Sequence, residues 1–136
     1  MAANAAKPVP TPTHETRPYW EGCRQHELRI QRCTVCGHNQ FFPRIYCTKC
    51  FSDRVDWTRA SGRATVLSFT IVRRPPSPAF ADEVPYVVAL VTLDEGPTLM
   101  TNIVGCAPEK VEIGMPVEVT FDEWTEEISI PKFRPR

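Results

Sequence analysis

From residue 28 onward, apolar and polar positions alternate with a period of two along most of the chain. Leu28-Arg-Ile30-Gln reads as a strand running into Cys33, and Val55-Asp-Trp57-Thr-Arg59 repeats the pattern. Ala64 to Val72 is rich in β-branched and aromatic residues, and Tyr86 to Leu93 is nearly continuous in apolar side chains. Leu99 to Val104 and the alternating Val117-Glu-Val119-Thr-Phe121 follow, and Ile128 with Ile130 closes the set. Turn chemistry separates these runs at Ser61-Gly62, Asp94-Glu-Gly96-Pro97, Pro108 and Ile113-Gly114. One stretch departs from period two. Tyr19, Trp20 and Cys23 have helical spacing behind Thr16 and an early Pro18, which predicts a short helix over about 17–26 with Thr16 as its N-cap.

The segment 73–85 holds four prolines, at 75, 76, 78 and 85, around Phe80, and reads as a long loop without regular structure. About five strands in the 70-odd residues after Ser61, with hairpin turns and this one long loop, predict a mainly β fold. A five-stranded OB-fold barrel fits best. The β-sandwich alternative wants about seven strands.

Length and composition sharpen this picture. A chain of 136 residues can bury roughly two-thirds of its unfolded surface, enough for a core without disulfide staples. Proline, at 14, is abundant and glycine, at 6, is scarce, which argues against a long-helix bundle. No apolar run reaches the ~20 residues of a membrane span. Met1 to Thr13 has no apolar h-region and reads as an alanine- and proline-rich arm with nothing to pack. The cytoplasm is the simplest expectation, and there six cysteines point to metal or free thiols rather than disulfides. The organisation expected is an arm over 1–15, a helix and ribbon over 16–58, and the barrel with a C-terminal tail over 59–136.

Four cysteines carry the strongest motif: Cys33-Thr-Val-Cys36 and, ten residues later, Cys47-Thr-Lys-Cys50. Each pair forms a knuckle that turns two thiolates toward one point, and two knuckles supply a tetrahedral structural site for one zinc ion. Gly37 follows the first pair and suits its tight turn, whereas Phe51 follows the second and predicts unequal knuckles. A four-sulfur site leaves no position for water, so it staples rather than catalyses. Cys23 and Cys106 stand alone, without a His-Asp or His-Asn constellation, and read as buried apolar residues. His26 and His38 have no recognisable partners, and the four thiolates leave His38 no place on the metal. No catalytic residue is expected.

Formal charge sums to zero but is unevenly spread. Residues 17–63 carry nine basic and four acidic side chains, a net of +5, while 82–127 carry eleven acidic residues and one lysine, a net of −10.

The aromatic-Trp helix, the strand entering Cys33 to Gly37, Pro43-Arg44 before the second pair, and Gly62 with its strand resemble a known bacterial and archaeal family. Pro85-Tyr86-Val87, Leu93 to Gly96, Thr101-Asn-Ile103, Ile113 to Val117 and Pro131 to Pro135 extend the likeness from about residue 16 to the C-terminus. The family pairs a rubredoxin-like zinc ribbon with an OB-fold and was long catalogued as a domain of unknown function. The resemblance implies a non-catalytic accessory subunit that binds acyl-CoA beside a thiolase or thiolase-like aldolase or lyase, helping to form the CoA entrance.

Coenzyme A needs arginine forks for its phosphates and aromatic surface for adenine and pantetheine. Phe41, Phe42, Arg44, Arg73, Arg74 and Phe80 are the candidates. The proline-bearing arm and the tail Pro131 to Arg136 are expected to order on the protein partner. Single-stranded nucleic acid is the rival ligand, since OB-folds often bind it. The acidic barrel segment gives it no electrostatic funnel, and the unequal knuckles count against rubredoxin-type electron transfer through iron.

Overall fold

In the computed structural model, residues 7–136 are described. A short helix, α1 (Arg17–Arg24), precedes a three-stranded antiparallel sheet of β1 (Arg29–Cys33), β2 (Asn39–Gln40) and β3 (Val55–Arg59), ordered β2-β1-β3. Then β4 (Arg63–Val72), β5 (Tyr86–Leu93), β6 (Thr98–Ile103), β7 (Pro116–Glu123) and β8 (Ser129–Pro135) close a five-stranded barrel in the order β4-β5-β6-β8-β7. This is the OB-fold expected.

The barrel forms because its strands alternate. Val87, Ala89, Val91 and Leu93 of β5 point inward, opposite Ala64 and Val66 of β4 and Leu99 and Ile103 of β6. Phe133 of β8, fully buried, fills the closing seam, where β8 meets β6 in parallel at Ile103 and β7 in antiparallel from Val117 to Glu123. Gly62 turns the chain from ribbon to barrel at φ +82°, with Val119 Cγ1 only 2.6 Å from where a Cβ would stand.

Several local expectations need correction. The residues read as a tail, 131–136, are mostly strand β8, and Phe133 belongs to the core, because the barrel needs a fifth strand to close. The arm is anchored at Lys7, whose ammonium sits 2.7 Å from Glu83 and over the rings of Phe80 and Trp124, while most of residues 8–15 are exposed. Met1 to Ala6 of the expected arm lie outside the described residues. Helix α1 ends at Arg24, since His26 adopts φ +60° to turn into β1. Thr16 is the N-cap without capping through its side chain, because its hydroxyl accepts from Thr13 N–H at 2.8 Å. The proline-rich loop 73–85 contains a 3-10 turn, Pro78–Phe80.

The ribbon packs directly on the barrel. Tyr19, Cys23, Leu28 and Ile30 share one buried cluster with the barrel residues. Ala60 N–H donates to Leu28 C=O, Asn39 Nδ2 donates to Glu95 C=O, and His26 stacks on Phe121 at 5.1 Å.

Candidate metal centre and ligand surfaces

The two knuckles match bond for bond. Gly37 N–H donates to Cys33 C=O and Phe51 N–H to Cys47 C=O, each at 2.9 Å. Val35 and Cys36 donate to Cys33 Sγ at 3.4 and 3.5 Å, and Lys49 and Cys50 repeat those distances at Cys47 Sγ. Phe51 therefore takes the left-handed conformation of Gly37, at φ +64° against +77°, and the expected inequality of the knuckles is absent from the backbone.

All four sulfurs lie within 4.8 Å of one another, with Cys33–Cys50 and Cys36–Cys47 at 3.6 Å. A tetrahedron with metal–sulfur bonds of ~2.3 Å has edges of ~3.8 Å, so the donor set fits one thiophilic ion. Backbone N–H groups lower two of the four thiols. Donation from Cys36 and Val35 holds Cys33 below the ordinary thiol range, and donation led by Cys50 brings Cys47 down to about 6. His38 turns instead to Thr48, whose hydroxyl lies 3.2 Å from Nε2.

Gln31, which the alternation with Leu28 and Ile30 places outward, is buried together with Gln40, and the two hold the loop between the knuckles. Gln31 accepts from Arg44 N–H at 2.9 Å and donates to Arg44 C=O at 3.0 Å. Gln40 donates to Gln31 Oε1 and Tyr46 C=O and accepts from Thr48 N–H. A buried amide satisfied this way fixes loop backbone as firmly as a strand would. The signal that could have found them is their position: each sits in a strand beside a knuckle.

The six residues expected at a CoA face fall into two groups. Phe41 packs edge-on against Tyr19, half-buried, beside the exposed Phe42 and Arg44 near the β5–β6 hairpin. Arg73, Arg74 and Phe80 sit in the loop at the other end of β5, whose eight residues span roughly 25 Å. Arg73 lies 3.9 Å from Glu109, and Arg74 forms no ion pair among the described residues.

Beside this second group runs a groove of about 640 Å³ across β5, β6 and β8, walled by Phe80, Tyr86, Met100, Cys106, Trp124 and Lys132. Its cations are engaged: Lys7 pairs with Glu83, and Lys132 lies 2.9 Å from Asp122. Burial would raise the Asp122 carboxyl, but hydrogen bonds from Lys132 and Trp124 outweigh it and hold the group below its usual value.

Neither lone cysteine has a base among the described residues, and Cys106, expected to be buried, is half-buried in the groove wall. Cys23 is enclosed, and burial pushes its thiol up to about 11. His26, for which no partner was expected, lies 3.7 Å from Glu123 besides its stack on Phe121. It ties the helix to the barrel.

Family models described as "ChsH2, rubredoxin-like zinc ribbon domain" and "ChsH2, C-terminal OB-fold domain" match residues 20–56 and 57–122. A DUF35 domain-containing scaffold protein of Pyrococcus furiosus is 36% identical over 86% of this chain and 90% of its own length. The chain belongs to the DUF35 family. A probable enoyl-CoA hydratase alpha subunit of Thermomonospora curvata is 43% identical over 96% of the chain. The chain spans only 40% of that relative's length, and 37% of a second hydratase alpha subunit, from Mycobacterium tuberculosis. A solved structure described as Ltp2-ChsH2(DUF35) aldolase superposes with a TM-score of 0.83 at 43% identity, covering 93% of this DUF35 chain and 98% of the other. The relatives of this chain are thus described as CoA-ester hydratase alpha subunits, a component of an aldolase, and DUF35 scaffold proteins. No helix among the described residues is long and apolar enough to cross a membrane.

Proposed function

We propose that this DUF35 chain is a non-catalytic accessory subunit of a two-component acyl-CoA enzyme, stapled by one structural zinc ion at Cys33, Cys36, Cys47 and Cys50. The partner is a thiolase-type aldolase, lyase or hydratase subunit. The carrying observation is the match, at 43% identity and 98% coverage, to a chain of a structure whose description names two components. The chemistry agrees. The only clustered thiols form a closed four-sulfur set, and the buried Cys23 thiol is driven up rather than activated.

Acyl-CoA is the ligand in this reading, and Arg73, Arg74 and Phe80 are the residues placed to meet it. Phe80 lines an apolar groove of a size usual for small-molecule sites, and the two arginines precede it in the same loop. The guanidinium groups receive phosphate while Phe80, Tyr86 and Trp124 line a path for the pantetheine arm. Nucleic acid fits this face less well, because both groove lysines already pair with carboxylates.

Titration calorimetry with CoA and octanoyl-CoA, on the chain alone and with the co-encoded enzyme subunit, tests the proposal. Expected are acyl-CoA binding weakened at least tenfold by Arg73→Ala with Arg74→Ala, and turnover only in the two-component preparation. Turnover by the isolated chain, or undiminished binding in the double variant, would overturn it. Tight, salt-steep binding of a labelled single-stranded oligonucleotide would favour the rival ligand.

A further inference from the structure

Nine large hydrophobic side chains are exposed among the described residues, and five of them lie between residues 35 and 51. Val35 is 60% exposed, Phe42 64%, Ile45 58%, Tyr46 53% and Phe51 78%. Together they present on the order of 500 Å² of surface around one four-sulfur centre, which is large for a freely solvated ribbon. The exposure is built in rather than a consequence of loose chain. Gln31 and Gln40 grip the backbone at Arg44, Tyr46 and Thr48, so the side chains of 42–46 are turned away from the protein's own core. Phe51 goes further, holding a bulky residue at φ +64° where the equivalent position of the first knuckle uses glycine.

The electrostatics select the occupant. Arg32, Arg44, Lys49 and Arg54 share the ribbon segment with these side chains, against two acids, Asp53 and Asp56, the latter opposite Arg32 in the β1–β3 register. None of the four cations forms an ion pair among the described residues. Rigid aromatic and aliphatic anchors rimmed by unpaired cations complement a protein face that is apolar at its centre and carboxylate-bearing at its edge. CoA fits poorly, for it is a single slender anion, whereas the exposed apolar groups are spread over both knuckles and the intervening loop.

We infer that the outer face of the zinc ribbon, centred on Phe42, Ile45, Tyr46 and Phe51, is the surface that docks the enzyme subunit. That leaves the far end of the barrel, with Arg74 and Phe80, free for acyl-CoA. The identity of the partner rests on the accessory-subunit reading, while the docking face rests on the ribbon itself.

The test uses the full chain loaded with zinc and the co-encoded enzyme subunit, with affinity measured by calorimetry at low and high salt. Ile45→Ser with Phe51→Gly removes two anchors, and glycine relieves the left-handed strain at 51. The double variant should therefore keep one zinc per chain, melt with its Phe51→Gly component no earlier than wild type, and bind the partner at least tenfold more weakly. Arg44→Glu with Lys49→Glu should weaken binding and flatten its salt dependence. Arg74→Ala should leave docking unchanged.

Unaltered partner affinity in both double variants overturns the docking face while the accessory role stands. Failure of the wild-type chain to bind the co-encoded subunit overturns both. A wild-type dimer that Ile45→Ser with Phe51→Gly dissociates, seen by sedimentation equilibrium, would show the face covered by a second copy and also overturn the inference.

Discussion

Single positions carry much of the fold's precision, and Gly62 is the sharpest. Its φ of +82° already disfavours a side chain, and a Cβ would stand 2.6 Å from Val119 Cγ1 inside the ribbon–barrel junction. Gly62→Ala should cost about 2 kcal/mol or more, read as a lowered denaturation midpoint with an unchanged slope. Asp122 offers a second residue-scale test. Its carboxyl is held below the ordinary 3.8 by Lys132 and Trp124, despite the opposing effect of burial. The stabilisation is thus present above the unfolded value and lost as pH falls through the lower folded one. Acid titration below pH 4 should show a loss of stability that Asp122→Asn removes. At this scale the sequence is only partly readable. Gly37 announces its knuckle because glycine belongs in left-handed turns, yet Phe51 adopts the same conformation and gives no such sign.

Elements were more legible than residues wherever their pattern was local. The alternation at Leu28 and Ile30 marks β1, the inward set of β5 is dense in Val and Leu, and the paired knuckles declare themselves by spacing. The failures have a common cause. Pro131 and Pro135 make the C-terminal segment look like linker, because proline normally interrupts a ladder. The register of β8 against β7 nevertheless runs through both prolines, opposite Phe121 and Val117. Gln31 looks solvent-facing, and Gln40 gives no sign of burial, because their partners are loop N–H and C=O groups that no periodicity reports. Since β8 closes the barrel and buries Phe133, deleting residues 131–136 should abolish the cooperative unfolding transition of the isolated chain. A truncated protein melting near the wild-type temperature would mean that the segment does not hold the barrel shut.

At the scale of the whole molecule, two modules share one core, and that decides what metal loss should do. Tyr19, Cys23, Leu28 and Ile30 belong to the same buried cluster as Val66, Val91 and Phe133. Ser61 N–H donates to Glu95 Oε2 at 2.7 Å, and the Asn39–Glu95 and His26–Phe121 contacts bind ribbon and barrel on two sides. Structural zinc sites supply on the order of 10 kcal/mol of apparent binding energy, comparable with the whole stability of a domain this size. Removing a thiolate with Cys47→Ser should therefore abolish stoichiometric metal binding and free the ribbon. The barrel does not escape, because the ribbon's departure uncovers the apolar surface that Leu28 and Ile30 had sealed. We expect zinc removal to lower the melting temperature of the entire chain in one transition, with circular dichroism and tryptophan fluorescence coinciding. Trp20 in α1, Trp57 in the ribbon sheet and Trp124 at the barrel groove make the comparison direct, since Trp124→Phe leaves the helix and ribbon reported and Trp20→Phe with Trp57→Phe leaves only the barrel. Two separated transitions, the Trp124 signal persisting after the Trp57 signal is lost, would show that the modules fold independently and that the shared cluster contributes little.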